Sequence, residues 1–241
     1  MSPGCPRRGS RRQGGGLIFV GIRDDLGTTF SPPSSLPDDL ELEGGNPVVR
    51  DAIRDLPWIP AGTRKESIAY RPRCPVSDYE WLLRPSWMND VIDAHVTRWH
   101  RPQDLRALRL LSQGGIYADL PRHLRRYRTD IFRDKYRRLS WDASSPCLTA
   151  QLSKDCYSHI HPSQARTISI REAARLQGFP DWYKLEGNLG DRYRLLGNAV
   201  PPIVAYAIAV SVREALGQRA TMGWHTLARH NGREFAGGGH G

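Results

Sequence analysis

Ser169-Ile170-Arg171-Glu172-Ala173-Ala174-Arg175-Leu176-Gln177-Gly178-Phe179-Pro180 carries both ends of one helix in a single stretch. Ser169 is placed to accept the amide of Glu172 while the Glu172 carboxylate reaches back to the Ser169 amide, a reciprocal capping box. Gly178, followed by Phe179 and Pro180, supplies the left-handed stop. Further on, Pro202 opens a second helix, since a proline in the first turn forfeits no intrahelical bond. Its body, Ile203 to Val210, is apolar all round, which predicts a helix sandwiched inside a larger core. Gly217 ends it.

Upstream, the signals are weaker. Residues 1–16 are rich in Gly, Arg and Ser and read as a flexible basic lead-in. Leu17-Ile18-Phe19-Val20-Gly21-Ile22 is a short continuous apolar run, the pattern of a strand buried on both faces. Residues 24–47 hold turn-forming Pro, Ser, Asp and Gly. Val48 to Leu56 has helical spacing of Val48, Ala52, Ile53 and Leu56 and stops at Pro57. Residues 58–90 read as loop with short strands, and residues 218–241 as a disordered tail.

The chain has 241 residues, with 35 Lys and Arg against 25 Asp and Glu, for a net charge of +10. That length allows one large domain or two modest ones, and 39% hydrophobic residues suffice for a core. The longest apolar run, Ala199 to Val212, contains two prolines and falls short of a bilayer span. The N-terminus lacks the apolar segment of a secretory signal, so the expectation is a cytoplasmic protein with no membrane partner. Cys5, Cys74, Cys147 and Cys156 form neither a CxxC pair nor a Cys/His cluster with zinc spacing, so no metal is expected. Charge is concentrated: between Arg98 and Arg138 twelve Lys and Arg face four Asp, +8 of the net +10. Trp99, His100, Tyr117, His123, Tyr127, Phe132, Tyr136 and Trp141 are interleaved with them. Arginines beside aromatics suit phosphate contact and base stacking, and the concentration of charge in one segment favours DNA or RNA binding over the alternative of a solvated helical face around Leu120–Phe132. Arg98, Arg101, Arg137 and Arg138 are the candidates for DNA contact.

Arg166 to Asp181 resembles motif IX of the DNA cytosine-5 methyltransferases, and Arg192-Tyr193-Arg194-Leu195-Leu196-Gly197-Asn198-Ala199-Val200-Pro201-Pro202 resembles their motif X, in the family's order and spacing. Tyr136 to Asp142 and Ser145-Pro146-Cys147 resemble the stretch that joins the family's target recognition domain to motif IX. Leu17 to Leu26 resembles the strand after motif VIII. The resemblance implies an α/β fold: a partial Rossmann-like methyltransferase fold with a small mixed target-recognition domain. The implied divisions are residues 17–27 as the last strand region of the catalytic lobe, 28–165 as the target recognition region, and 166–217 as motif IX, motif X and the returning helix. Asn198, Ala199 and Val200 would line the pocket of S-adenosylmethionine. Arg166, Arg171, Glu172 and Arg175 would brace the recognition domain, although Arg171 and Arg175 could also form a solvated helical face. The implied partner is double-stranded DNA, in the setting of DNA methylation and restriction–modification.

The family's reaction uses a thiolate, in a Pro-Cys motif, to attack C6 of a flipped cytosine. Cys5 follows Gly4, and Cys147 follows Pro146 but lies in the segment before motif IX, so it is expected to be a small buried residue replacing threonine. No Glu-Asn-Val occurs, and Gly14-Gly15-Gly16 precedes a strand instead of linking strand to helix. The expectation is therefore a C-terminal methyltransferase portion with no catalytic residue of its own, using cofactor only with a separately encoded catalytic lobe. The alternative is a catalytically inactive DNA-binding remnant or specificity subunit. Either way, strand 17–22 and helix 203–216 would expose apolar surface and make the chain poorly soluble alone.

Overall fold

In the computed structural model, the structure describes residues 18–34, 37, 40, 42, 46–70, 77–84, 88, 90–125, 128, 136–218 and 223–224. The lead-in 1–16, nearly all of the tail, Cys5, Cys74, Tyr127 and Phe132 lie outside them. Six α-helices occur among the described residues: α1 (Val49–Ile53), α2 (Asp78–Leu83), α3 (Pro102–Leu110), α4 (Ile170–Leu176), α5 (Leu189–Asn198) and α6 (Pro202–Ala215). The β1 (Ser67–Ala69) and β2 (Val91–Asp93) strands pair antiparallel, with Ile68 opposite Ile92. No parallel Rossmann-type sheet appears among the described residues, so the observed architecture is helical with one small antiparallel ribbon.

Local chemistry sets the helix ends. Ser77 Oγ accepts from Glu80 N at the start of α2, and Asn188 Oδ1 accepts from Asp191 N at the start of α5. Pro102 and Pro202 occupy the first turns of α3 and α6. The capping box of α4 forms as the sequence indicates: Glu172 N donates to Ser169 Oγ at 3.0 Å, and Ser169 N to Glu172 Oε2 at 2.7 Å. Gly178 takes φ +82°, and Phe179 N returns to Ala174 O to close the helix.

One apolar core gathers α1, α2, α4, α5 and β2 around Ile53, Leu83, Ile92, Ile170 and Tyr193. A second, smaller core joins Leu108 and Leu111 to Tyr117, Leu120, Tyr136 and Ile160. In it, the hydroxyls of Tyr136 and Tyr157 both donate to the buried Asp104 carboxylate, at 2.8 and 2.9 Å.

Two sequence expectations need correction. Residues 18–22 form no strand, and Phe19 is 87% exposed. A strand needs a neighbour for its N–H and C=O groups, and none lies beside this run among the described residues. Helix α6 is not sandwiched: Ile203 and Ala207 are its buried residues, while Val204 is exposed. One edge rests on the core, where Ile203 approaches Gly178 and Tyr206 packs beside Trp224; Ile208, Val210 and Val212 are half-buried, and Val204, Ala205 and Ala209 face outward. By length and composition alone, Leu189–Ala215 is long and apolar enough to cross a membrane, contrary to the reading of the shorter run. It is not one continuous helix, because Ala199 to Pro201 separates α5 from α6.

Candidate functional site

Three arginines of the 166–175 segment are buried completely, and each reaches a different part of the chain. Arg166 forms a two-pronged pair with Glu172, Nη1 to Oε2 and Nη2 to Oε1, both at 2.7 Å, while its Nε donates to Ile59 O at 3.0 Å. Arg175 grips Asp181 through Nε at 2.8 Å and Nη2 at 2.6 Å, and its Nη1 reaches Asp55 and Ala52 O. Arg171 donates to the carbonyls of Asp93, Pro180 and Tyr183, and Arg84 adds a 3.2 Å contact to Asp181. The three guanidiniums thus tie α4 to α1, to the end of β2 and to the 57–60 loop. A solvated face for Arg171 and Arg175 is ruled out by this burial. Burial alone would raise the Glu172 carboxyl, but the Arg166 charge and hydrogen bonds outweigh it and hold Glu172 well below the carboxylate range. Asp181 is held at about 2 by Arg175 against the same burial penalty.

Histidines surround this anchor. His95 takes Ser169 Oγ at Nδ1 and Pro57 O at Nε2, both at 2.8 Å. His161 Nδ1 accepts the amides of Ser163 and Gln164, and His100 Nε2 accepts the amide of Thr167. Burial lowers His100, His159 and His161 to about 4. A neutral ring is what these bonds require, because a backbone N–H needs an acceptor.

The four arginines expected at DNA differ in exposure. Arg101 is exposed at the start of α3. Arg137 is half-buried, its backbone paired with Tyr157 and Ile160. Arg98 is half-buried; its Nη2 donates to Leu152 O at 3.0 Å and Ser153 O at 2.6 Å, and its guanidinium lies 5.1 Å from the Tyr193 ring. Arg138 is a structural residue instead of a surface one: it is buried, with Nη1 on the carbonyls of His161, Pro162 and Gln164, and Nη2 on Leu108 O. The chain there is irregular, and Arg138 supplies donors that a helix or sheet would otherwise provide. Arg106, Arg109 and Arg122 are exposed and keep the segment's surface basic.

Asn198 is the last residue of α5, and Ala199 and Val200 begin the connector to α6. Gln177 Nε2 holds Ala199 O at 3.0 Å, and α5 lies against the 3₁₀ turn Ala150–Ser153. A Cβ on Gly197 would stand 2.2 Å from the Thr149 carbonyl carbon, so only glycine permits this approach. Asn198 is exposed and Val200 is 59% exposed, which leaves one face of the connector open for a ligand or a second lobe. Cys147, expected to be buried, is exposed, with Sγ 3.5 Å from Leu148 O; the 144–147 run lies outside both cores. Among the described residues no cluster of His, Cys, Asp and Glu could hold a metal ion.

Asp55 and Gly197 were not singled out from sequence. Asp55 lies 120 residues from Arg175 and leaves no local signal, whereas the glycine beside Asn198 could have been read as a close-approach site.

The profile of the family described as C-5 cytosine-specific DNA methylase matches residues 86–214, more than half of the chain. The chain is 40% identical over 228 residues to the type II methyltransferase M.Bpa9945I of Bacillus paralicheniformis, covering 88% of this chain and 49% of that protein. It is 32% identical over 193 residues to DNA (cytosine-5)-methyltransferase 1A of Oryza sativa subsp. japonica, covering 70% of this chain and 12% of that one. Its fold is similar, at TM-score 0.57 and 25% identity, to the crystal structure of a DNA modification methyltransferase encoded within an E. coli prophage, over 82% of this chain and 54% of the other. The chain therefore spans about half the length, or less, of these relatives. It belongs to the C-5 cytosine-specific DNA methylase family.

Proposed function

We propose that this chain is the target-recognition and cofactor-closing portion of a DNA (cytosine-5)-methyltransferase. It binds double-stranded DNA through its basic recognition region and, joined by a catalytic lobe, supports methyl transfer to cytosine C5. The observation that carries the reading is the Asn198–Val200 segment: it is fixed from behind by Gln177 and by the Gly197–Thr149 approach, and open in front. The open apolar side of α6 adjoins it, as expected of a surface that a second lobe covers.

The residues present fit one edge of a cofactor site. The exposed Asn198 amide offers both a donor and acceptors to a polar ligand, and the backbone beside it is immobilised by its bond from Gln177. S-adenosylmethionine would supply the methyl group when bound. The buried arginine anchor keeps the recognition region at a set position relative to this edge, and positioning of this kind is where catalytic proximity originates. The attacking thiolate is assigned to the catalytic lobe, since Cys147 lies in the segment before motif IX with its Sγ on the Leu148 carbonyl. A cytoplasmic setting belongs to the same reading, as for an enzyme that acts on DNA.

The test mixes the chain with the N-terminal lobe of a relative, tritiated S-adenosylmethionine and duplex DNA. Methyl incorporation that requires both proteins is the expected result. Complex formation without incorporation into any duplex would favour a specificity subunit without catalysis.

A further inference from the structure

Two tryptophans stand almost bare on one buttressed loop pair. Trp58 is 73% exposed and Trp99 is 66% exposed, although each indole has enough apolar surface to be a core residue. The backbone beneath them is rigid. Gly62 N donates to Arg98 O and to Thr97 Oγ1, both at 2.9 Å, and Thr97 N donates to Thr63 O at 2.9 Å. Thr97 Oγ1 also donates to Pro60 O at 3.2 Å, so the 60–63 turn and the 97–98 segment form one unit with Trp58 and Trp99 at its margins. The neighbours of both indoles are locked to the buried anchor: Ile59 O accepts Arg166 Nε, and His100 Nε2 accepts the Thr167 amide. Trp99 rests against Gly62, where φ is +82° and a Cβ would meet the Trp99 side chain at 3.5 Å. The indoles are therefore presented by the fold, not left over from it.

The charge around them has one sign. Arg64, Lys65 and Arg101 are exposed within three residues of this unit and form no ion pair among the described residues. The nearby acid Glu66 is paired with Arg192 at 2.7 Å. Rigid, exposed aromatic rings flanked by free cations match a nucleic-acid strand: the cations meet phosphates, and the rings stack on bases regardless of sequence.

We propose that Trp99, with Trp58 on the same loop pair, is a stacking platform for DNA bases, a contact that adds affinity independent of the phosphate charge. The inference rests on the reading of the chain as a DNA-binding portion and names where and how that binding occurs. Its distinguishing property is that loss of the ring weakens binding without altering the number of counterions released, whereas loss of a cation alters both.

The test measures binding of the full chain to a labelled duplex carrying one unpaired, extrahelical base, whose face is free to stack, by fluorescence anisotropy across a salt series, for wild type, W99A, W99F, W99K, W58A and W81A. Trp81 is an exposed tryptophan on α2, outside this unit. The expected result is a loss on the order of tenfold in W99A with an unchanged salt slope, most affinity kept in W99F, a smaller loss in W58A and none in W81A. W99K is decisive because it adds a cation while removing the ring, so it should bind more weakly than wild type. Affinity of W99A and W58A within about twofold of wild type, or tighter binding by W99K, overturns the platform and leaves the DNA-binding reading standing. Absence of duplex binding by the wild-type chain at low salt overturns that reading and the platform with it. If W99A fails to fold, W99F, W99K and W58A carry the same decision.

Discussion

Arg166 and Glu172 meet face to face with both N···O distances at 2.7 Å, and Glu172 Oε2 also accepts the Ser169 amide that opens α4. One carboxylate thus serves as helix cap and as counter-ion to a buried guanidinium. Glu172→Gln keeps the shape and removes the charge, leaving Arg166 uncompensated. It should destabilise the chain by about 3–5 kcal/mol, as removing one partner of a buried pair does. Urea denaturation of wild type and variant measures this; a loss under about 1 kcal/mol would mean that solvent reaches the pair.

Stability should fall steeply on mild acidification. The folded-state values of His100, His159 and His161 are lowered to about 4 from 6.5, so below pH 6.5 the unfolded chain binds protons that the folded chain does not. Stability is therefore unaffected by these groups above pH 6.5 and is lost progressively between pH 6.5 and 4. Below that, the depressed Glu172 and Asp181 carboxyls continue the loss as the pH falls toward 2. The combined drop from pH 7 to 5 is on the order of several kcal/mol, at about 1.4 kcal/mol per pKa unit. A melting temperature that stays flat from pH 7 to 5 would contradict it.

Gly197→Ala should cost at least about 2 kcal/mol, because its methyl group would overlap the Thr149 backbone and push α5 off the 150–153 turn. Gly21→Ala, where nothing lies within 4 Å, should be silent. Thermal melts of the two variants provide the comparison.

Arg138 and Arg101 should separate stability from binding. Arg138→Met strips donors from four carbonyls and should lower stability by several kcal/mol, at about 1–3 kcal/mol for each buried group left unpaired. Arg101→Ala should leave the melting temperature unchanged and reduce the salt slope of duplex binding by about 1.

The outward side of α6 should make the chain prone to self-association. Val204→Lys should raise the concentration at which the chain stays monomeric in ultracentrifugation and should abolish methyl transfer in the two-protein assay. A variant that is more soluble and fully active would place the lobe elsewhere.

Helix α4 and the limits of α6 were legible because their signals are local: Ser169, Glu172 and Gly178, then Pro202 and Gly217. Helix α5 escaped notice because Gly190 and Gly197 weaken its propensity and its support comes from the distant 150–153 turn. Strands of three residues, as in β1 and β2, are too short to show alternation. The burial of Arg138 was invisible for a different reason. A guanidinium reads the same in a basic run whether it meets phosphate or carbonyl, and the carbonyls it meets belong to residues 108, 161, 162 and 164. The candidate segment 198–200 was legible as a position, but its rigid backing through Gln177 and Thr149 was not.

The reach of the buried arginines also orders events during synthesis. Arg166 bonds Ile59 across 107 residues, and Arg175 bonds Asp55 and Ala52 across 120 and 123. When α1 and the 57–60 loop leave the ribosome, the groups that will complete them have not yet been translated. Such long loop closures are slow and keep apolar surface open while they wait. Residues 49–60 therefore stay without these buried partners until residues 166–181 emerge, and a stop codon before residue 166 would release a chain that cannot finish its own core.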